Sequence, residues 1–184
     1  MKKTEKFLGN AWGQKLTILA VIFAVMAIFA QKFFLLENFK SILISISLYG
    51  VMACGMLFVV LIGGLDLSVA STAALSATIV MLSVVNSNYA PGSFLRGLAV
   101  AMAVCVAIGL IHSFFVTRFN MPAFVVTLAT KYALLGVVML VSNSSYTYLT
   151  DDTCFLFKMG NAKLLSIPVP IIIFIIFAIP CALI

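Results

Sequence analysis

Charge is what this chain lacks most. Lys, Arg, Asp and Glu make up 9% of its 184 residues, against about 25% in ordinary soluble domains. Apolar residues reach 64% and the mean hydropathy is +1.26. A chain of this length folded in water would have nowhere to bury so much apolar surface, which excludes a soluble globular domain. The eleven basic residues form no stripe interleaved with exposed aromatics, so a nucleic-acid partner is excluded as well. No Gly-rich phosphate loop is present, so this chain binds no nucleotide through one, and an enzymatic role is not expected. His112 is the single histidine and no two of the four cysteines have metal-type spacing, so neither a metal nor a cofactor is expected in this chain. Cys54, Cys105 and Cys181 fall in apolar stretches and read as buried small hydrophobes; Cys154 falls in a polar loop.

What is present is a series of apolar stretches of membrane-crossing length, which is about 20 residues. The first runs from about Leu16 to Leu36, flanked by Trp12 and by Phe33 and Phe34. The second spans about Ser41–Ile62, the third begins beside Asp66 and reaches about Val85, and the fourth spans about Leu95–Val116. Pro122 opens the fifth at a first-turn position, and that span ends near Val141. A polar connection over 142–167 carries Asp151, Asp152, Lys158 and Lys163. The sixth starts after Pro168-Val169-Pro170 and is still apolar at Ile184. The expected fold is all-α: a polytopic integral membrane protein of about six transmembrane helices, the last one cut short, in a single domain over 1–184. The chain reads as the front part of a longer protein.

Lys2, Lys3, Lys6 and Lys15 precede the first span and favour a cytoplasmic N-terminus. With Arg118 they make five inside charges, against Lys32, Lys40, Arg96, Lys158 and Lys163 outside, so the N-terminal cluster and the long acidic loop decide the orientation. Lys2, Lys3 and the run to Ala30-Gln31 also mimic a signal peptide. The long basic region, Ile28 at the cleavage site and the return of apolar residues at Phe33 favour an uncleaved helix. Phe33, Phe34 and Phe39 read as interfacial anchors rather than sugar-stacking platforms.

Acid is scarcest of all: between Glu37 and Asp151 there is only Asp66. It sits in Gly63-Gly64-Leu65-Asp66-Leu67-Ser68-Val69-Ala70-Ser71, where an ionisable group is costly unless it caps, pairs or faces water. Gly63 and Gly64 permit backbone angles that end one helix and let another backbone approach. Asp66 can accept from free N–H groups of the next helix, to whose first turn Ser68 and Ser71 add hydroxyls. Three roles stay open for Asp66: a helix cap, contact with a solute or ion, and a gating contact with a neighbouring helix.

This segment closely resembles the motif of permease subunits of bacterial ABC importers for ribose, galactose, arabinose and related sugars. Met121-Pro122-Ala123-Phe124-Val125-Val126-Thr127-Leu128 is similar to a second element of that family, and Asn38-Phe39-Lys40-Ser41-Ile42-Leu43 to the stretch before its second helix. Gly50, Gly55, Met56 and Val59 match the small-residue pattern of that helix. The resemblance implies a transmembrane subunit that forms a sugar path by alternating access. It would pair with a second, often identical, permease subunit. It would receive sugar from a periplasmic or lipid-anchored binding protein and be driven by ATP on cytoplasmic ATPase subunits. It implies a bacterial inner membrane. Gly63, Gly64, Asp66, Ser68 and Ser71 would shape a hinge at the third span, and Pro122 and Thr127 the fifth.

Three positions depart from the family pattern. Ala70 stands where a glycine is usual, and His112 near where an asparagine is common. His112 then either packs as a neutral ring or takes over that hydrogen bonding. Leu135 stands where many members carry arginine, with Lys131 one helical turn earlier. Lys131 faces the path or pairs with Asp66, or else snorkels to the interface. The polar run 142–148 is a candidate contact for a binding protein or a plain solvated loop. The rival functions are an inactive permease remnant and a secondary transporter without an ATPase.

Overall fold

A computed structural model of the chain describes residues 11–30, 32–145, 148–164 and 167–183. Lys2, Lys3, Lys6, Gln31, Tyr146 and Thr147, and the side chain of Trp12, lie outside the described residues. The elements in order are helices α1 (Ala11–Phe29), α2 (Leu36–Leu61), α3 (Val69–Asn86), α4 (Ser93–Arg118), α5 (Ala123–Val141) and α6 (Phe155–Asn161), strands β1 (Lys163–Leu164) and β2 (Ile167–Pro168), and helix α7 (Val169–Ala182). Helices α2 to α5 are each long and apolar enough to cross a membrane, while the apolar stretch Gly13–Phe29 of α1 and helix α7 are shorter. This is an all-α, polytopic architecture, and its only pairing of strands among the described residues is the two-residue ladder Lys163↔Pro168, Leu164↔Ile167.

The chain divides into two units, residues 1–46 and 47–184. In the first, the expected span to Leu36 is corrected: α1 ends at Phe29, and a turn over residues 32–34 precedes α2. The side-chain amide of Asn38 donates to the Phe33 carbonyl at 2.9 Å, which holds the turn. Phe33 packs its ring on Phe23, Phe34 and Phe39, with centroids 5.4, 5.2 and 6.5 Å away. No glycine or proline marks this turn, so hydropathy runs through it unbroken.

The second unit is organised around α3, which packs against α4 and α5. One residue from each helix, Leu75, Ile108 and Leu134, makes the buried apolar centre, flanked by Ile79, Val104 and Val138. Ser93, Gly97 and Ala101 are buried at four-residue spacing along α4. Small residues in such a row let helix backbones approach closely. A Cβ on Gly97 would lie 2.8 Å from the Ser83 Cβ and 3.0 Å from the Val80 Cα, so α3 and α4 touch there. Gly50 of α2 lies against the Phe174 ring of α7 in the same way. Most other span residues are exposed, which costs nothing where lipid is the solvent.

Two further expectations are corrected. Pro122 is the N-cap of α5 rather than a first-turn residue, and its carbonyl accepts from Val125 at 2.9 Å. Cys54, Cys105 and Cys181 are only partly buried, whereas Cys154 is buried. Cys154 also caps α6, its Sγ accepting from the Phe157 N–H at 3.4 Å. Local capping, invisible to hydropathy, draws that side chain inward.

Candidate functional site

The α2–α3 connection is built by its glycines. At the end of α2 the Gly63 N–H donates to the Val60 carbonyl and the Gly64 N–H to the Val59 carbonyl, both at 2.9 Å. Gly63 has φ +77°, so the pair forms the helix stop that a left-handed residue makes. The chain then runs through Leu65, Asp66 and Leu67 to Ser68, the N-cap of α3.

Asp66 is satisfied locally. Its Oδ1 accepts from the Ser68 N–H at 2.7 Å and from the Ser68 hydroxyl at 2.6 Å. Both bonds are charge-assisted and short, the stronger class. Ser68 is only 1% exposed, and the Ser71 hydroxyl donates to its carbonyl at 2.7 Å.

Thr127 joins this loop to α5. Its hydroxyl oxygen accepts from the Leu67 N–H at 3.1 Å. Its one proton is shared between the Leu65 carbonyl at 3.1 Å and the Ala123 carbonyl at 2.9 Å. Thr127 is 3% exposed. Removing a buried partner of this kind costs about 1–3 kcal/mol, because the groups it served lose water as well as protein. One hydroxyl therefore bridges the two sequence segments singled out above, some sixty residues apart.

Lys131 is partly buried on α5, its Nζ 5.5 Å from the Tyr132 ring centroid, within reach of a cation–π contact. The bonds of Asp66 go to Ser68. The structure thus brings Gly63, Gly64, Asp66, Ser68, Ser71, Pro122 and Thr127 together at one end of the bundle, and it does not pair Lys131 with Asp66.

Asp66 and Ser68 also line an open groove of about 290 Å³ that continues along α3 and α4, past Thr72, Ser76, Cys105 and His112. The Ser76 hydroxyl donates to the Thr72 carbonyl at 2.8 Å and lies 3.1 Å from Cys105 Sγ. His112 Nε2 is buried without a hydrogen-bond partner among the described residues. Sequence reasoning missed this polar wall as a unit. Thr72 and Ser76 are four residues apart and Cys105 and His112 seven, so each pair shares a helix face; nothing in the sequence says that the two faces meet.

A family model described as "Branched-chain amino acid transport system / permease component" matches residues 38–184. The L-arabinose transport system permease protein AraH of Escherichia coli K12 is 30% identical over 173 residues, covering 92% of this chain and 50% of that protein. The ribose import permease protein RbsC of the same strain is 31% identical over 176 residues, covering 91% and 52%. The D-allose transport system permease protein AlsC, also of that strain, is 30% identical over 167 residues, covering 88% and 48%. The chain spans about half the length of the curated relatives it matches. No solved structure matches it. The family match takes in both segments that Thr127 ties together, and this multi-pass membrane chain belongs to the family of transport-system permease components.

Proposed function

We propose that this chain is the transmembrane subunit, or the first part of one, of an ATP-driven monosaccharide importer. The observation that carries the reading is the Thr127 bridge, which ties the Gly-Gly-Leu-Asp-Leu-Ser turn to the start of α5. The names of the relatives support the solute class: arabinose, ribose and allose. It works with cytoplasmic ATPase subunits that use the ATP, a second permease subunit and a periplasmic or lipid-anchored binding protein. It sits in the bacterial inner membrane with its N-terminus in the cytoplasm. That orientation puts residues 62–68 and 119–122 on the ATPase side and residues 87–92 and 142–167 on the opposite side.

Alternating access needs a contact with two arrangements. The Thr127 hydroxyl supplies one, because its proton can leave the Leu65 carbonyl for the carbonyl of Ala123 in its own helix. Gly63 and Gly64 absorb the backbone change, Asp66, Ser68 and Ser71 keep the α3 entry intact, and Pro122 fixes where α5 begins. Lys131, one turn beyond Thr127, faces the path.

The family description favours a second reading, import of branched-chain amino acids. Proteoliposomes carrying the protein with a candidate ATPase and binding protein, given labelled arabinose, ribose, allose and leucine, separate the two. Uptake of a sugar that stops when ATP is withheld is the expected result. Uptake of leucine alone would replace the solute class, and sugar uptake indifferent to ATP would make the protein a secondary transporter.

A further inference from the structure

The turn between α1 and α2 carries a cation and an anion that the protein leaves unpaired. Lys32 and Glu37 both line an open groove of about 350 Å³, and both are exposed. Among the described residues, neither the Lys32 ammonium nor the Glu37 carboxylate has a hydrogen bond or an ion pair. The donors of their neighbours are committed: the Asn38 amide donates to the Phe33 carbonyl at 2.9 Å, and the Ser41 hydroxyl to the Glu37 carbonyl at 3.0 Å. The rest of the lining, Met26, Ala30, Phe33 and Leu35, is apolar. All of these residues belong to the unit 1–46.

The depth of the groove in the bilayer follows from the spans. The turn stands at the start of the membrane-crossing helix α2, so Lys32 and Glu37 lie at headgroup level. Met26 lies about one turn inside the end of α1 at Phe29, toward the acyl chains. Unpaired charges of both signs above an apolar lining, at that depth, match a zwitterionic lipid.

We infer that this groove binds the headgroup of phosphatidylethanolamine, its phosphate on Lys32 and its primary ammonium on Glu37. A primary ammonium donates hydrogen bonds, as a lysine does, and a phosphate accepts them. Phosphatidylglycerol brings a phosphate to Lys32 but no cation to Glu37. Phosphatidylcholine brings the cation, but its quaternary nitrogen has no N–H to donate. Charge-assisted hydrogen bonds are the stronger class, so this pairing separates the three lipids. The apolar lining has a use only for the glycerol esters and first methylenes of a lipid, which a soluble headgroup lacks. The inference requires that the chain cross a membrane and nothing of what it transports.

Native mass spectrometry of the purified protein tests this, with the three lipids carrying identical acyl chains and with soluble glycerophosphoethanolamine as competitor. One saturable phosphatidylethanolamine adduct is expected, the other two lipids binding about tenfold more weakly, the worth of one charge-assisted hydrogen bond. Lys32→Ala and Glu37→Gln should each weaken that adduct by about the same factor. Glu37→Lys puts two cations at the groove and should turn the preference to phosphatidylglycerol. Both positions are exposed, so the variants should melt with the wild-type protein. Equal binding of all three lipids by the wild-type protein, or a preference that Glu37→Lys leaves intact, would overturn the site. Glycerophosphoethanolamine competing as strongly as the lipid itself would overturn the lipid as its occupant.

Discussion

Asp66-Leu67-Ser68 and Asp151-Asp152-Thr153 make the same local structure at two very different places. In each, one carboxylate oxygen accepts from the N–H and the hydroxyl of the residue two positions on, at 2.7 and 2.6 Å in the first and 2.8 and 2.6 Å in the second. Each precedes a helix, α3 in one case and α6 in the other. The surroundings separate them. The first turn is held to α5 by Thr127 and lies on the open groove that His112 also lines. The second lies by the α3–α4 turn, where Thr150 is hydrogen-bonded to the Tyr89 hydroxyl at 2.7 Å and a cavity of about 490 Å³ runs past Phe94 and Phe155. The Asp-x-Ser/Thr pattern is thus a local device for starting a helix, and what packs on it decides whether it does more.

The two ends of the α3–α4–α5 bundle can be broken separately. The largest effect is expected at the α3–α4 turn. Gly97→Val forces a branched side chain against the Val80 backbone and the Ser83 side chain and should destabilise the protein by about 3 kcal/mol, the upper part of the range for overpacking. Thermal unfolding in detergent should show it, and a melt identical to wild type would mean that α3 and α4 do not meet there.

At the opposite end Thr127→Val keeps the shape and removes the hydroxyl. The Leu67 N–H and the Leu65 carbonyl lose their partner, at a cost of about 2 kcal/mol. Thr127→Ser should recover most of that loss. Amide exchange at Leu67 is the direct readout: it should accelerate in the valine variant and not in the serine variant. Equal exchange in both would remove the bridge from the account.

The two aspartates give the smallest and sharpest contrast. Asp66→Ala should cost about 1–2 kcal/mol, the loss of the carboxylate that accepts from the Ser68 N–H and hydroxyl. Asp151→Ala should leave global unfolding unmoved and only loosen its own loop. Thr153, by its hydroxyl and then its N–H, holds the Asp151 carboxyl below its ordinary value of 3.8, with a smaller contribution from Lys158. A depressed value means stabilisation that is complete above pH 3.8 and is lost as pH falls through the folded value. Exchange of the Thr153 amide, corrected for its intrinsic pH dependence, should therefore stay flat from pH 8 to about 5 and rise only below about 4. A rise already near neutral pH would show that the carboxylate is not what holds the loop.

Much of this was legible in the sequence because it is local. The helix stops fall where a left-handed residue is cheap: Gly63 after α2, Asn88 after α3 and Asn143 after α5. The apolar stretches matched the ends of α3, α4 and α5 to within about three residues, but α2 begins at Leu36, ahead of the expected Ser41, so Asn38–Leu43 lies inside the helix and not before it. The turn at residues 32–34 was not legible, since Phe33, Phe34 and Leu35 are as apolar as the helices on either side. Nor was α6, seven residues started by a cysteine thiol rather than by the usual oxygen caps.

The sequence by itself determined that this chain lives in lipid, that Gly63 and Asp66 interrupt its helices, and that Thr127 belongs to a segment of interest. Composition, chain-stop residues and capping side chains act within a few residues, so they need no knowledge of the fold. Only the tertiary structure decided that Thr127 closes on the backbone at Leu65 and Leu67, that His112 and Asp66 line one groove, and that Lys131 is not the partner of that carboxylate. Those contacts depend on which faces of α3, α4 and α5 meet. Small residues such as Gly97 set that choice through close packing, which hydropathy does not record.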